Sequence, residues 1–280
     1  MPTFKITLAY DGTNYVGWQR QAAGASVQGV IEDALRELDG RDVVLHGAGR
    51  TDAGVHALGQ VASCALDRAI ECPVLVRALN ARLPADIRIV SAESAAPEFH
   101  ARFSATAKTY RYRIDNAGVM SPFERHYAWH VFGPLDVDAM DAAARSLEGS
   151  HDFAAFQTAG GTPGTTERTV RRSRVTRTKL STTGDAEDTE KQTSLVLRVP
   201  RVLSGGDFRH GGNLIVYEIT GDGFLRHMVR AILGTLVEIG RGRRPRDEMR
   251  EVLISRDRGR AGPTAPACGL FLVGVEYGDL

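Results

Sequence analysis

The sequence has few lysines, few cysteines and no long apolar run. Only four of its 35 basic residues are lysine, so 31 are arginine. No apolar segment approaches the roughly 20 residues that a membrane-spanning helix needs, and the N-terminus lacks the basic-then-apolar pattern of a signal peptide. Cys64, Cys72 and Cys268 are an odd number without C-x-x-C spacing, which indicates neither a disulfide framework nor a zinc site. These absences predict a cytoplasmic protein without metal or membrane contact.

The composition is otherwise that of an ordinary globular protein. Hydrophobic residues make up 42% of the 280 residues, charged residues make up 25%, and the net charge is +1. This net charge by itself says nothing about nucleic acid. The preference for arginine favours bidentate binding of phosphate and stacking on bases. A GC-rich genome, which favours arginine codons, explains the preference equally well.

The apolar pattern predicts two successive α+β units. Strands are predicted at 4–10, 42–46, 58–65 and 87–93 in the first unit, and at 109–114, 170–179, 195–199, 214–219 and 270–277 in the second. Helices are predicted at 26–38, 73–83, 136–147, 224–239 and after 245. We therefore predict an α+β fold of two pseudo-symmetric, ferredoxin-like (RRM-like) halves, 1–104 and 105–280. They should form a continuous, mostly antiparallel sheet with a central active-site cleft, and a flexible insertion is expected at about 180–212.

The glycine-rich loop at 47–54 places one carboxylate, Asp52, two residues after Arg50. It does not fit a dinucleotide fingerprint, which needs glycine at position 52, and it lacks the lysine of a P-loop. Its small neighbours leave Asp52 accessible to a bulky substrate, as covalent catalysis at a sugar C1′ requires. The alternative is an ordinary turn in which Asp52 pairs with Arg50 on the surface.

Cations and aromatic residues alternate elsewhere in the chain. The segment 99–113 contains Tyr110 and suits a groove that binds phosphates and stacks bases, or else a strand with one solvated face. The very apolar helix predicted at 224–239 carries Arg226 and Arg230 on one face. Because a buried arginine needs an anion, Asp52 is the expected partner, unless both arginines lie on a solvent stripe. Near Trp18 the chain forms either a nucleic-acid-binding loop or a strand edge with the ring in the core.

These motifs together resemble the bacterial tRNA pseudouridine synthase A family. The resemblance rests on Gly49-Arg50-Thr51-Asp52-Ala53-Gly54-Val55-His56, on Phe99-His100-Ala101-Arg102-Phe103-Ser104-Ala105, and on Tyr110-Arg111-Tyr112. Further matches are Tyr10-Asp11-Gly12, Gly17-Trp18-Gln19-Arg20-Gln21, His227-Met228-Val229-Arg230 and Gly269-Leu270-Phe271-Leu272-Val273. They occur in the family's order between about residues 4 and 277.

The resemblance implies isomerisation of uridine to pseudouridine at positions 38, 39 and 40 of the tRNA anticodon arm. Asp52 is implied as the catalytic carboxylate, paired with Arg230, which holds it ionised. Tyr110 is implied to pack on the flipped base and to assist removal of the C5 proton, and Arg50 to extrude the nucleotide. Substrate contacts are also predicted for Leu270, Leu272, Trp18, Arg20, His56 and Arg102. The family implies a homodimer that binds tRNA across both subunits, without cofactor or metal.

Two other classes of function remain open from the residues alone. A non-catalytic RNA-binding protein with two RRM-like halves predicts that Asp52 is dispensable, although the aromatic-rich motif of an RRM sheet is missing. A nucleoside hydrolase or glycosidase needs a second acid, and none is evident in the sequence near Asp52. The residues also leave open whether Asp52 attacks C1′ or assists removal of the 2′ proton.

Overall fold

A computed structural model describes residues 1–158, 160, 164–178 and 213–278. Within these ranges the chain forms ten strands and five helices. In chain order they are β1 (Thr3–Tyr10), α1 (Val27–Asp39), β2 (His46–Gly47), β3 (His56–Ala65), α2 (Cys72–Asn80), β4 (Ile87–Ala95), β5 (Ala105–Asp115), β6 (Trp129–His130), α3 (Val137–Arg145), β7 (Gly149–Asp152), β8 (Glu167–Thr178), β9 (Leu214–Gly221), α4 (Met228–Gly240), α5 (Glu248–Ser255) and β10 (Leu270–Tyr277).

All ten described strands belong to one sheet, and the two units repeat the same strand order. The sheet runs β4-β1-β3-β10-β5-β9-β8-β7, with β2 beside β3 and β6 beside β5. In the first unit the last strand, β4, lies next to β1, and β1 lies next to β3. In the second unit the last strand, β10, lies next to β5, and β5 lies next to β9, so that both units resemble a split βαβ fold. The predicted α+β class with a mostly antiparallel sheet is confirmed. The domain boundary at residue 104 stays a prediction.

The units meet where β3 and β10 pair in parallel. The register joins Phe271 to His56 and Leu272 to Ala57, whereas β10 pairs antiparallel with β5 on its other side. The last strand of the chain therefore connects the two units in the middle of the sheet. The segments that precede β3 and β10 are consequently brought to the same place.

Helix α4 is the most buried helix of the described chain. All of its residues are buried except Arg230 and Glu238. Its close packing depends on Gly234, where a Cβ atom would lie only 1.7 Å from the Pro263 carbonyl oxygen. An apolar helix of this kind belongs in the core, so its charged residues need partners. Glu238 pairs with Arg244 at 2.6 Å, and Arg230 pairs with a residue of the other unit.

Two predicted elements differ from the structure for identifiable reasons. The strand expected at 42–46 is reduced to β2, because α1 occupies the backbone groups of Leu45: Glu32 accepts from its N–H at 3.2 Å, and Gln28 donates to its carbonyl at 2.9 Å. The helix expected from residue 224 begins at Met228, because His227 has a left-handed φ of 62°. Arg226 therefore precedes α4, and the prediction that Arg226 and Arg230 lie on one face of the same helix is wrong.

Short strands β6 and β7 were not predicted, and α3 ends earlier than expected. Two expectations lie outside the described residues: the strand at 195–199 and the flexible insertion at about 180–212.

Candidate active site

The loop at 47–54 is fixed from below by side chains and backbone of the first unit. Gln60 donates to the Gly49 carbonyl at 2.9 Å. The backbone N–H of Trp18 donates to the Thr51 carbonyl at 3.0 Å, and the Tyr10 and Thr51 hydroxyls are 2.7 Å apart. Because the loop is anchored on both sides of residue 50, the carboxylate that follows is held in one position. Such preorganisation is what a catalytic group requires.

Asp52 forms the ion pair with Arg230 that the sequence predicted. The Arg230 Nη1 donates to Asp52 Oδ2 at 3.1 Å, and its Nε donates to the Ala265 carbonyl at 2.7 Å. The Asp52 side chain is 31% exposed and that of Arg230 is 15% exposed. Within the described chain Asp52 Oδ1 has no hydrogen bond or ion pair. One carboxylate oxygen is therefore held, while the other is available to a substrate.

Tyr110 lies on β5 close to the same loop. Its ring is buried and meets Phe224 edge to face, with 5.1 Å between centroids. A methyl group on Gly49 would lie 3.8 Å from the Tyr110 hydroxyl, so the ring borders the loop at 47–54. Burial raises the pKa of Tyr110, and the nearby Tyr10 and Asp52 raise it further. The phenol is therefore protonated at neutral pH and offers a flat apolar face.

The leucines predicted to line the pocket are on the neighbouring strand. Leu272 pairs with Tyr110 in the β10–β5 register, and Leu270 pairs with Tyr112. Both leucines are buried. Arg50, by contrast, is exposed and has no ion pair or hydrogen bond to any described residue. It is free to contact a ligand two residues from Asp52.

The amino-acid sequence of this chain is similar to those of known proteins. The family model described as tRNA pseudouridine synthase matches residues 6–104 and 143–278. The tRNA pseudouridine synthase A of Pelobacter propionicus is 44% identical over 277 residues, covering 99% of this chain and all of that protein. The proteins of the same name from Moorella thermoacetica and Myxococcus xanthus are 44% and 43% identical over 279 residues; the matches cover 99% and 100% of this chain, and 100% and 93% of theirs. The chain belongs to the tRNA pseudouridine synthase family.

His227 is a site residue of this pseudouridine synthase that sequence reasoning missed. Its Nε2 lies 3.3 Å from Asp52 Oδ2, and its Nδ1 is 2.9 Å from the Thr158 hydroxyl. Burial lowers the pKa of His227; Asp52 opposes this shift, and Arg230 adds to it. The lowered pKa favours the neutral ring at pH 7, with its Nδ1 within hydrogen-bond distance of the Thr158 hydroxyl and its Nε2 beside Asp52. Its position three residues before Arg230 was the available signal.

Lys108 also lies at the site without having been assigned a role. Its side chain runs past Gly49, where a methyl group would be 3.7 Å from Lys108 Cε. Burial lowers the pKa of this lysine; Arg102 and Arg168 lower it further, while Asp222 opposes them. Lys108 thus adds a cation beside the loop at 47–54.

Three residues predicted to contact the substrate have partners within the protein, and their contacts with the substrate stay predictions. Trp18 is 2% exposed and packs beneath Gly47, which corresponds to the core alternative. His56 is 1% exposed, stacks on Phe271 at 4.7 Å and bonds to backbone groups. Arg20 forms ion pairs with two acids of α1, Glu32 at 2.8 Å and Asp33 at 3.0 Å, and its side chain is 48% exposed. Burial leaves little of Trp18 and His56 for RNA, whereas Arg20 is paired but accessible. Arg102 is exposed, as its prediction requires.

Over the described ranges, no three His, Cys, Asp or Glu side chains are grouped so that they could hold a metal ion. Among the helices described, none combines the length and apolar character that crossing a bilayer demands.

Proposed function

We propose that this chain isomerises uridine to pseudouridine at positions 38, 39 and 40 in the anticodon arm of tRNA. The observation that carries the proposal is the Asp52 carboxylate, with one oxygen bound by Arg230 and the other accessible. The family to which the chain belongs acts on uridine in tRNA. The choice of positions follows from the resemblance of the motifs.

The reaction exchanges one bond to the ribose for another. The C1′–N1 bond of uridine breaks with the help of Asp52, the uracil turns, and a C1′–C5 bond forms. The proton on C5 leaves, and N1 regains a proton, so atoms balance without an oxidant or second substrate. Asp52 serves either as the nucleophile at C1′ or as the base that assists loss of the 2′ proton. Both roles use the accessible Oδ1.

Tyr110 and Leu270 form the apolar surface on which the flipped uracil rests, and Leu272, which is fully buried and pairs with Tyr110, supports that ring. The Tyr110 ring supplies a stacking face, and its protonated hydroxyl is not a base in the resting enzyme. Arg50 enters the place of the extruded nucleotide, because a base inside a stacked arm cannot otherwise reach Asp52. The exposure of Arg50 and its lack of described partners support this role.

The site favours this isomerisation over hydrolysis. Retaining and inverting glycosidases use two carboxyl groups about 5 to 9.5 Å apart. In the described part of the chain, the partners of Asp52 are the basic side chains Arg230 and His227. Among the described residues, no second carboxylate forms a hydrogen bond or ion pair with either of these two side chains. A single acid with a cation suits a reaction in which the released base returns to the same ribose.

The proposal includes a homodimer with tRNA spanning both subunits, and a cytoplasmic location. The three cysteines are unpaired, as expected in a reducing compartment. Sedimentation equilibrium should give twice the 30.3 kDa chain mass. A monomer that forms pseudouridine at the full rate would exclude the dimeric part of the proposal.

The experiment that tests the function maps pseudouridine in tRNA transcripts after incubation with the protein. Transcripts carrying a single uridine at position 38, 39 or 40 should each gain one pseudouridine. A matched transcript with uridine only at position 55 should stay unmodified. Modification restricted to the last transcript would contradict the assigned positions, and no modification at all would contradict the activity.

A further inference from the structure

Three aromatic rings and a guanidinium form a stacked series on the surface near the catalytic loop. The rings of His46 and His100 are 4.6 Å apart at 32°, and those of His100 and Phe103 are 4.4 Å apart at 36°. The Arg102 guanidinium lies 5.7 Å from the centre of the Phe103 ring. We call His46, His100, Arg102 and Phe103 the ring series.

The backbone beneath the ring series is held firmly. Ala101 is fully buried; its N–H donates to Ser63 Oγ at 3.1 Å, and its carbonyl accepts from the Tyr277 hydroxyl at 2.8 Å. Phe99 is also buried and packs against Tyr277, with 5.1 Å between ring centres. The inward residues therefore anchor this segment to β3 and β10. His100, Arg102 and Phe103, which lie between and after these buried residues, are therefore held in a fixed arrangement at the surface.

Phe103 gains little from folding in this position. It is 77% exposed, so most of its apolar surface stays in water, where it stabilises nothing. Single exposed apolar residues are common and need no explanation. Phe132, which is 71% exposed and has no ring contact among the described residues, is such a case. Phe103 differs because it ends an ordered stack of flat groups.

The charge around the ring series fits a nucleic acid. Arg102 has no ion pair with any described residue, and burial, followed by His46 and Arg102, lowers the pKa of His100. The Lys108 side chain lies beside Gly49, and the charge of Arg102 lowers the pKa of this lysine. His46 precedes Asp52 by six residues, so their Cα atoms are at most about 22 Å apart. A few nucleotides of a single strand cover that distance.

We propose that the ring series is a stacking site for an unpaired base of the RNA substrate, with Arg102 binding an adjacent phosphate. The site is separate from the pocket of the reacting uridine, and it rests on the proposed function for the identity of the RNA. Aromatic faces bind any base, whereas the guanidinium selects the charged backbone. The occupant is therefore a nucleotide outside the helical part of the anticodon arm.

The test compares Phe103→Ala with Phe132→Ala, a matched change at an equally exposed phenylalanine. Binding is measured by fluorescence anisotropy of a labelled anticodon stem-loop, and turnover by pseudouridine formation in the full tRNA transcript. Phe103→Ala should weaken binding and raise KM about tenfold, with kcat changed by less than about twofold. Phe132→Ala should leave all three unchanged. Phe103→Trp should restore binding, whereas Phe103→Leu, which is apolar but lacks a ring, should not.

Equal RNA affinity and KM for Phe103→Ala and Phe132→Ala would overturn the proposal. So would full affinity of Phe103→Leu, because the surface would then recognise apolar bulk and not a stacked base. Unchanged melting temperatures show that the variants are folded. The proposed function fails separately: if the wild-type protein forms no pseudouridine, the anisotropy measurements still decide whether the ring series binds RNA.

Discussion

Two of the contacts between the units of this protein differ in how completely their polar groups are hydrogen-bonded. At the β3–β10 pairing, the His56 ring is closed in: Gly12 donates to its Nδ1 at 3.1 Å, and its Nε2 donates to the carbonyls of His126 and Cys268. At the contact between the catalytic loop and α4, Asp52 stays accessible on one side. The first contact satisfies every ring nitrogen, whereas the second leaves a carboxylate oxygen unused.

This difference indicates a division between stability and chemistry. A buried group whose hydrogen bonds are complete contributes to folding and has nothing left for a substrate. A charged group that is held but incompletely bonded is costly to the fold and useful to a reaction. We therefore expect variants at the first contact to affect unfolding, and variants at the second to affect turnover.

The largest effect is expected at Arg230. Arg230→Met removes the cation from Asp52 and should lower kcat about a thousandfold, because the carboxylate loses its orientation and its charge partner. Arg230→Lys should recover part of this, since it keeps the charge but loses the bond to Ala265. The exposed Arg250 on α5 provides the control as Arg250→Met. Near-normal kcat in Arg230→Met would show that the ion pair is not needed.

The next effect concerns stability at His56. His56→Ala breaks hydrogen bonds to three backbone groups and should lower the free energy of unfolding by about 3 kcal/mol. Pseudouridine formation per folded molecule should change little. Urea denaturation followed by tryptophan fluorescence measures the first quantity. A His56→Ala variant that is as stable as the wild-type protein but forms no pseudouridine would contradict the assignment of this contact to stability.

The same residue predicts how stability depends on pH. Burial lowers the pKa of His56 below its usual 6.5, and this outweighs the opposing effect of nearby Asp11. The unfolded chain therefore takes up a proton first as the pH falls. The stabilisation that the neutral His56 ring gives to the folded state is complete above about pH 6.5. It is lost as the pH falls from there through the pKa of His56 in the folded state. His56→Gln should show a smaller loss of stability between pH 7 and 5 than the wild-type protein.

The smallest effect is expected at His227. His227→Ala removes one of the two basic groups beside Asp52 Oδ2 and should lower kcat about tenfold, with KM nearly unchanged. Thr158→Val should act in the same direction but more weakly, because it removes only the hydroxyl group that contacts the His227 ring. His151→Ala is the control, since His151 bonds to the Glu148 carbonyl at the edge of the sheet. A rise in KM without a fall in kcat would assign His227 to RNA binding instead.

The sequence predicted the fold class and the Asp52–Arg230 pair, because both follow from local rules. Alternating apolar residues define the strands, and an arginine in a very apolar helix needs an anion. Other features depend on distant residues. The contact of His227 with Thr158 joins positions 69 apart, and the loss of the strand at 42–46 depends on side chains of α1. The burial of Trp18 under Gly47 is equally invisible in the local pattern.

The central claim is that Asp52 carries the reaction. Its most direct test is release of tritium from tRNA labelled at C5 of uridine, measured for Asp52→Ala and for Asp42→Ala, a control at a side chain that is 92% exposed. We predict that Asp52→Ala releases no label above background while it still binds tRNA, and that Asp42→Ala releases label at the wild-type rate. Continued release of tritium by Asp52→Ala would contradict the account.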